Sequence, residues 1–275
     1  MKCKILLLLT VLFGLFLCGC AKQENTSVNV YKLTESLDDE AYSAYVDGDP
    51  VLFDKLNVFK NKLTASPDFD YYSYAENEAE VLYAVMPDEC MLNYGTEFAS
   101  ESRYDIEGES ATCVNAIQVS DNYFSLFPMD VSAGRAFDEK DCHYQNAEYI
   151  PVILGKKYQD TFAVGDTFEG YYILERRTFK VIGIAGDGAF YSSSQNCMIP
   201  YDNYIIMPFM YVEADSFAAR AILLQQVSGC VAYQGDRNEA LHIVKKYLKE
   251  AGLDDWDNSF GFLKNELPVS RQEME

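Results

Sequence analysis

Apolar residues come first as an uncharged run, Ile5 to Leu17, interrupted only by Thr10 and Gly14, and after that in shorter blocks. Val28 to Leu33 alternates with period two, as a half-buried strand does. Ser36 to Gly48 is acidic and reads as a loop or short helix. Asp49-Pro50 then opens a helix: Asp49 caps it, and proline at the first helical position gives up no hydrogen bond. Leu52, Leu56, Phe59 and Leu63 fall on one helical stripe, and Ser66-Pro67 closes it. Two aromatic-rich strands are expected next, near Asp70–Ala75 and Glu80–Met86. This first block reads β-α-β-β, with the helix covering one face of the sheet because an isolated amphipathic helix is not stable in water.

The middle of the chain turns mainly to strand. Met91 to Glu109 is polar and irregular, and Ala111 to Val119 resumes as a strand. Ser120 to Asp141 reads as a short helix capped by Ser120, followed by an extended arm through Ala133-Gly134-Arg135-Ala136-Phe137. Gly134 is the expected pivot, since glycine alone enters positive φ freely. The continuous apolar run Tyr149 to Gly155 fits a buried strand with Pro151 near its start. A short helix over Lys156 to Phe162, a turn at Gly165 and paired strands over Tyr171–Leu174 and Thr178–Ala185 follow. Asp187 to Ser194 is a Gly/Ser-rich loop and Met198 to Pro208 a strand. Arg220 to Tyr233 suits a strand or a helix equally. Asp236 starts a helix with Leu241, Val244, Leu248 and Ala251 on one face, ended by Gly252. Asn258 to Leu263 returns as a strand.

Hydrophobic content of 49 % is enough for a packed core, so the chain is not globally disordered. The formal net charge is −21, which argues against nucleic acid, whose phosphates must be met by Lys and Arg. The N-terminus has the order of a secretory signal: Lys2 and Lys4, the apolar run, then Leu17-Cys18-Gly19-Cys20 and a polar stretch. The run is shorter than the roughly 20 residues of a spanning helix. The tetrapeptide resembles a bacterial lipobox, which makes Cys20 the lipidated residue; the other reading is an uncleaved single membrane anchor. Both place the remainder outside the cytoplasm, and no later apolar run reaches spanning length.

Candidate chemistry is sparse. Beyond Cys20 the cysteines are Cys90, Cys113, Cys142, Cys197 and Cys230, widely spaced and without a C-x-x-C pair. The two histidines, His143 and His242, are far apart. Gly186-Asp187-Gly188 lacks the Lys-Ser/Thr of a phosphate loop, and Ser192 to Ser194 lacks a nucleophile elbow. The acidic stretch around Asp38, Asp39 and Glu40 lacks calcium-loop spacing. Met207 and Met210 read as core. No catalytic, metal or cofactor-binding residue is expected, and the chain reads as a non-enzyme.

Three collinear segments carry a family resemblance. Val119-Ser120-Asp121-Asn122-Tyr123-Phe124 with Ala133-Gly134-Arg135-Ala136-Phe137 is the first. Ile150-Pro151-Val152-Ile153-Leu154-Gly155 with Phe162-Ala163-Val164-Gly165-Asp166 is the second, and Phe179-Lys180-Val181-Ile182-Gly183-Ile184-Ala185 the third. Together they resemble MacB-like periplasmic core domains, the extracytoplasmic parts of MacB/FtsX-type ABC transporter permeases. The resemblance implies an α+β fold of two subdomains. A sheet-and-helix porter-like subdomain would comprise residues 28–90 and 211–265, with a small mainly-β subdomain, 91–210, inserted into it. Residues 1–20 would be the signal or anchor, 21–27 a tether and 266–275 a polar tail. The implied role is partner binding or transmission of ATPase-driven motion, with permease and ATPase subunits as partners at the outer face of the cell membrane. Family permeases continue into membrane helices that this sequence lacks, so the expectation is a stand-alone relative or a permease whose reading frame stops early. The alternative is a free-standing surface lipoprotein binding a small ligand or peptide. Arg135 is expected to be structural, pairing with a carboxylate or backbone carbonyls.

Overall fold

The computed structural model describes residues 28–46, 48–82, 86–142, 148–173, 175–192, 198–210 and 215–266. Cys20 and the N-terminal segment, the tether, His143, Cys197 and residues 267–275 of the polar tail lie outside them.

In chain order, β1 (Asn29–Glu35) leads to helices α1 (Asp39–Val46) and α2 (Pro50–Thr64), then β2 (Asp70–Leu82). After two short 3₁₀ turns come β3 (Arg103–Ile106), β4 (Glu109–Val119), the one-turn helix α3 (Tyr123–Leu126) and β5 (Val131–Gly134). The strands β6 (Ile150–Leu154), β7 (Thr167–Tyr172), β8 (Glu175–Ala185), β9 (Phe190–Ser192), β10 (Met198–Pro200) and β11 (Ile205–Pro208) follow. The chain closes with α4 (Phe217–Gln226), β12 (Gly229–Tyr233), α5 (Arg237–Glu250) and β13 (Phe260–Glu266). The architecture is mixed α+β, as expected.

β2 organises it. Its first residues pair with β12 (Asp70↔Ala232 to Ser73↔Gly229), within a sheet ordered β13-β1-β12-β2. From Tyr74 onward the same strand pairs with β4, and its last residues also pair with β7. The order β2-β7-β8-β6-β11-β4 then returns to β2, so six of the described strands close a small barrel. Closure removes sheet edges and leaves an interior filled by side chains. Ala79, Val81, Val114, Ala116, Val152, Leu154, Phe179, Val181, Ile205 and Met207 supply that filling. A second core lies between the open sheet and the helices, where Phe53, Leu56, Phe59 and Leu63 of α2 and Val244, Tyr247 and Leu248 of α5 meet Tyr31, Leu33 and Val231. A third covers the opposite side, around Tyr74, Tyr123, Phe127, Ile182, Tyr191 and Tyr201. β1 is therefore buried on both faces, because helices lie on one and the aromatic cluster on the other.

Several local expectations are corrected. The two strands expected over Asp70–Met86 form a single β2, since outward Glu76, Glu78 and Glu80 keep the two-residue alternation going through the polar middle. Of the loop or short helix read for Ser36–Gly48, the short helix forms: it is α1, whose Tyr45 is fully buried. Ser120 does not cap α3: its hydroxyl bonds the Asn122 side chain (2.6 Å), Asn122 precedes the helix, and no side chain caps it. Lys156–Tyr158 is only a 3₁₀ turn. Met198–Pro208 is interrupted by a 3₁₀ turn at Tyr201–Asn203, and Phe190–Ser192 of the expected loop pairs with β10. The ambiguous Arg220–Tyr233 stretch divides between α4 and β12, with Gln225 bridging α4 to the barrel. The caps at Asp49 and Asp236 form as read. Gly134 has φ of +79°, and a Cβ there would lie 2.1 Å from the Ile182 carbonyl oxygen.

Candidate functional site

Where β2 passes from the open sheet into the barrel, a cleft of about 200 Å³ opens beside it. The turn Ser120–Asn122 forms one wall. It is held by the Ser120 N–H donating to the Ser73 carbonyl (2.9 Å) and the Asn122 side-chain amide donating to the Tyr71 carbonyl (3.0 Å). The facing wall is the last turn of α2, where Lys60 and Thr64, four residues apart, share a face. Gln226, at the end of α4, forms the back. Its carbonyl accepts from the Tyr71 hydroxyl (2.9 Å) and the Ser73 hydroxyl (2.8 Å), and its side chain donates to the Met210 carbonyl (3.0 Å). Phe209 and the buried thiol of Cys142 complete the lining. Burial pushes that thiol up to about 12, so it is protonated at neutral pH and no nucleophile.

Helix α4 ties this region together. At its start Arg220, almost fully buried, donates from Nε to Asp215 (2.6 Å) and from a terminal nitrogen to the Asp49 carbonyl (3.0 Å), and also bonds the Tyr45 carbonyl. Its guanidinium lies near the Tyr45 and Phe53 rings, 5.3 and 5.4 Å from their centroids. At its end Gln225 exchanges hydrogen bonds with Asn77 of β2, and Asn77 donates to Gln118 of β4 (2.6 Å), which bonds the Tyr172 hydroxyl. One helix thus joins the helical layer to the barrel mouth.

A buried lysine sits at the same crossing. Lys32 of β1 lies opposite Cys230 of β12. Its ammonium donates to the Ser228 carbonyl (2.8 Å) and the Tyr74 carbonyl (3.3 Å), and sits 3.5 Å from the centroid of the Tyr74 ring. Burial pushes its pKa down to about 8, against the opposing influence of Cys230 and Glu76. Neighbouring phenols are buried too, and burial raises Tyr74, Tyr123 and Tyr201 far above the usual tyrosine range.

The residues singled out in the sequence fall as follows. Arg135 makes a two-point pair with Asp141 (2.6 and 2.9 Å) and bonds the Ala136 carbonyl (3.0 Å), so its structural assignment holds. Burial opposes charge on the Asp141 carboxylate, but the Arg135 and Asp138 hydrogen bonds hold it below its ordinary value. Cys90, Cys113, Cys142 and Cys230 are buried free thiols. Met207 and Met210 are buried, as core residues are. His242 is exposed on α5, away from the cleft. Lys60, Lys32, Arg220 and Gln226 were not anticipated; the one available hint was a lysine inside the apolar alternation of β1.

Among the described residues no helix is long and apolar enough to cross a membrane, and no group of acidic, His or Cys side chains is arranged to hold a metal ion. A family model described as MacB-like periplasmic core domain matches residues 36–232. The fold is similar to the extracellular domain of the noncanonic ABC-type transporter YknZ from Gram-positive bacteria, at 14 % identity and a TM-score of 0.46, covering 86 % of this chain and 100 % of that one. It is similar also to the periplasmic region of MacB from Actinobacillus actinomycetemcomitans, at 14 % identity and a TM-score of 0.45, covering 88 % and 92 %. No curated protein matches the sequence.

Proposed function

The chain belongs to the MacB-like periplasmic core domain family, and on that premise we propose that it is a non-enzymatic extracytoplasmic module of an ABC transporter permease system. It binds a partner or passes on motion driven by the ATPase. The observation that carries this reading is the placement of the two ends of the fold. The chain enters through β1 and leaves through β13, and these strands lie side by side and antiparallel, with Tyr31 opposite Glu266. Both ends therefore emerge at one point of the molecule, the arrangement needed by a domain attached to a single membrane face. Displacement of that point is transmitted through hydrogen-bonded neighbours: β1 to β12, β12 to β2, and β2 into the barrel.

The same reading gives the parts their roles. Residues 28–90 and 211–265 form the sheet-and-helix body next to the membrane, and 91–210 the inserted body that meets a partner. β2 and α4 connect the two. Attachment is through lipid on Cys20 or through the apolar run Ile5 to Leu17 kept as an anchor. The alternative of a lipoprotein whose main task is to hold a small ligand or peptide has less behind it, because about 200 Å³ falls below the roughly 300–1,000 Å³ of pockets that enclose a drug-sized ligand and leaves room only for a group of a few atoms. Mass spectrometry of the mature N-terminus tests the attachment. Diacylglyceryl-modified Cys20 or an intact Met1 in the membrane fraction agrees with it, whereas an unmodified soluble chain cleaved after the apolar run contradicts it.

A further inference from the structure

The cleft beside β2 has a feature that the transporter reading does not use. Lys60 makes no hydrogen bond or ion pair with any described residue, yet its side chain is half-buried at the cleft wall. Every lysine ammonium taken out of water needs a counter-charge or acceptors. Several comparable lysines have that need met: half-buried Lys62 pairs with Glu250 (2.7 Å), half-buried Lys245 with Asp257 (2.9 Å), and buried Lys32 with two carbonyls.

We propose that the cleft is a binding site for a single carboxylate group, with Lys60 as its counter-ion. The neighbouring groups decide the class. The hydroxyls of Tyr71 and Ser73 already donate to the Gln226 carbonyl, and that of Thr64 donates back into its own helix. Lys60 is thus the one strong donor left on these walls. One cation matches a monovalent carboxylate; a phosphate dianion needs several donors and meets repulsion from the Asp121 carboxylate in the same cleft. The volume, about 200 Å³, suits a carboxylate on a short alkyl stem, the size of an Asp or Glu side chain or of a small monocarboxylic acid. Phe209 and the ring of Tyr71 offer apolar surface to such a stem. Burial lowers the Lys60 pKa, which a bound carboxylate would reverse. The overall negative charge does not forbid this, because fields from charges beyond about 8 Å are largely screened at 0.15 M salt.

The test is an NMR titration of the ¹⁵N-labelled chain from Val28 onward, at physiological salt, with four probes: butyrate, the capped peptide Ac-Ala-Glu-Ala-NH₂, its Gln counterpart and inorganic phosphate. Saturable shifts of the Ser120–Asn122 and Cys142 amides are expected with butyrate or the Glu peptide, but not with the Gln peptide or phosphate. Lys60→Met should weaken binding about tenfold or more, the worth of a charge-assisted hydrogen bond, and Lys60→Arg should retain most of it. Lys60 is partly exposed, so both variants should fold, and their amide spectra check that directly. Preference for the Glu peptide points to a partner's acidic side chain, and preference for butyrate to a free acid. No saturable shift with either carboxylate, or equal binding by Lys60→Met, overturns the site. Either of those results leaves the family assignment standing, since that rests on the match over 36–232.

Discussion

Replacing Lys32 with Met should change how stability depends on pH, in a direction set by burial. In the folded protein the Lys32 ammonium is enclosed between β1, β12 and β2, and its pKa falls from 10.5 to about 8. Below pH 8 the residue is protonated in both folded and unfolded chains and contributes no slope. Between about pH 8 and 10.5 the unfolded chain binds the proton and the folded one does not, so wild-type stability rises with pH. At about 1.4 kcal/mol per tenfold change in proton affinity, the rise from pH 7 to pH 10 is about 2.5 kcal/mol. Met has similar length and no charge, so the variant lacks this rise. It also loses the hydrogen bonds to the Ser228 and Tyr74 carbonyls, which offsets the relief from burying a charge, and the two proteins should be close in stability at pH 7. The assay is urea denaturation of both at half-unit steps from pH 7 to 10. Tyrosine titration in the unfolded chain is common to both and cancels in the difference. The stability of Lys32→Met relative to wild type should fall by about 2.5 kcal/mol over the range. A difference that stays flat would refute the buried, depressed lysine.

Three further outcomes follow from the packing. Gly134→Ala should cost about 2–3 kcal/mol, because a Cβ would meet the Ile182 carbonyl at a backbone angle that L-residues avoid; a urea midpoint equal to wild type would contradict the close β5–β8 approach. Arg220→Met should cost about 3–5 kcal/mol by leaving Asp215 and the Tyr45 and Asp49 carbonyls without their partner, read as a fall in thermal midpoint. Arg135→Ala should cost only about 1 kcal/mol, since the Arg135 side chain is half-exposed and the nearly buried Asp141 keeps its hydrogen bond from the Asp138 N–H. Asp141 has a folded pKa below its unfolded value, so the pair's contribution is present at neutral pH and lost as pH falls through the folded value. Denaturation at pH 7 and pH 3 should therefore give a variant penalty that shrinks in acid, and an equal penalty at both would argue against the ion pair.

Local signals in this sequence were readable where one residue type has one physical use. Asp49-Pro50, Asp236 and Gly252 mark helix ends because capping oxygens, proline and glycine fit few other places. Gly134 was legible because its neighbours leave no room for a side chain. The two ends of β2 were legible as strands but their continuity was not, because the outward glutamates between them look like a loop until β4 is set beside them. Nor was the barrel, since its closure depends on β4 pairing in parallel with β11, some ninety positions further along the chain. The cleft is the hardest part to foresee. Lys60 sits on an ordinary amphipathic helix, and its lack of a partner is a property of α2, the Ser120 turn and the end of α4 together. The turn itself was marked by the family resemblance, but for its aromatic residues, whereas Ser120 and Asn122 turn out to shape the cleft wall.

The account rests on a place in a transporter at the outer face of a membrane. Its most direct test is purification of the full chain, carrying a C-terminal affinity tag, from detergent-solubilised membranes of its source cells, with quantitative mass spectrometry of what accompanies it. An ABC permease and its ATPase should be enriched with the tagged chain, and lost when the β1–β13 pairing is broken by Leu33→Pro in a variant recovered at equal amount. Repeated recovery of the membrane-bound chain with neither subunit would contradict the account.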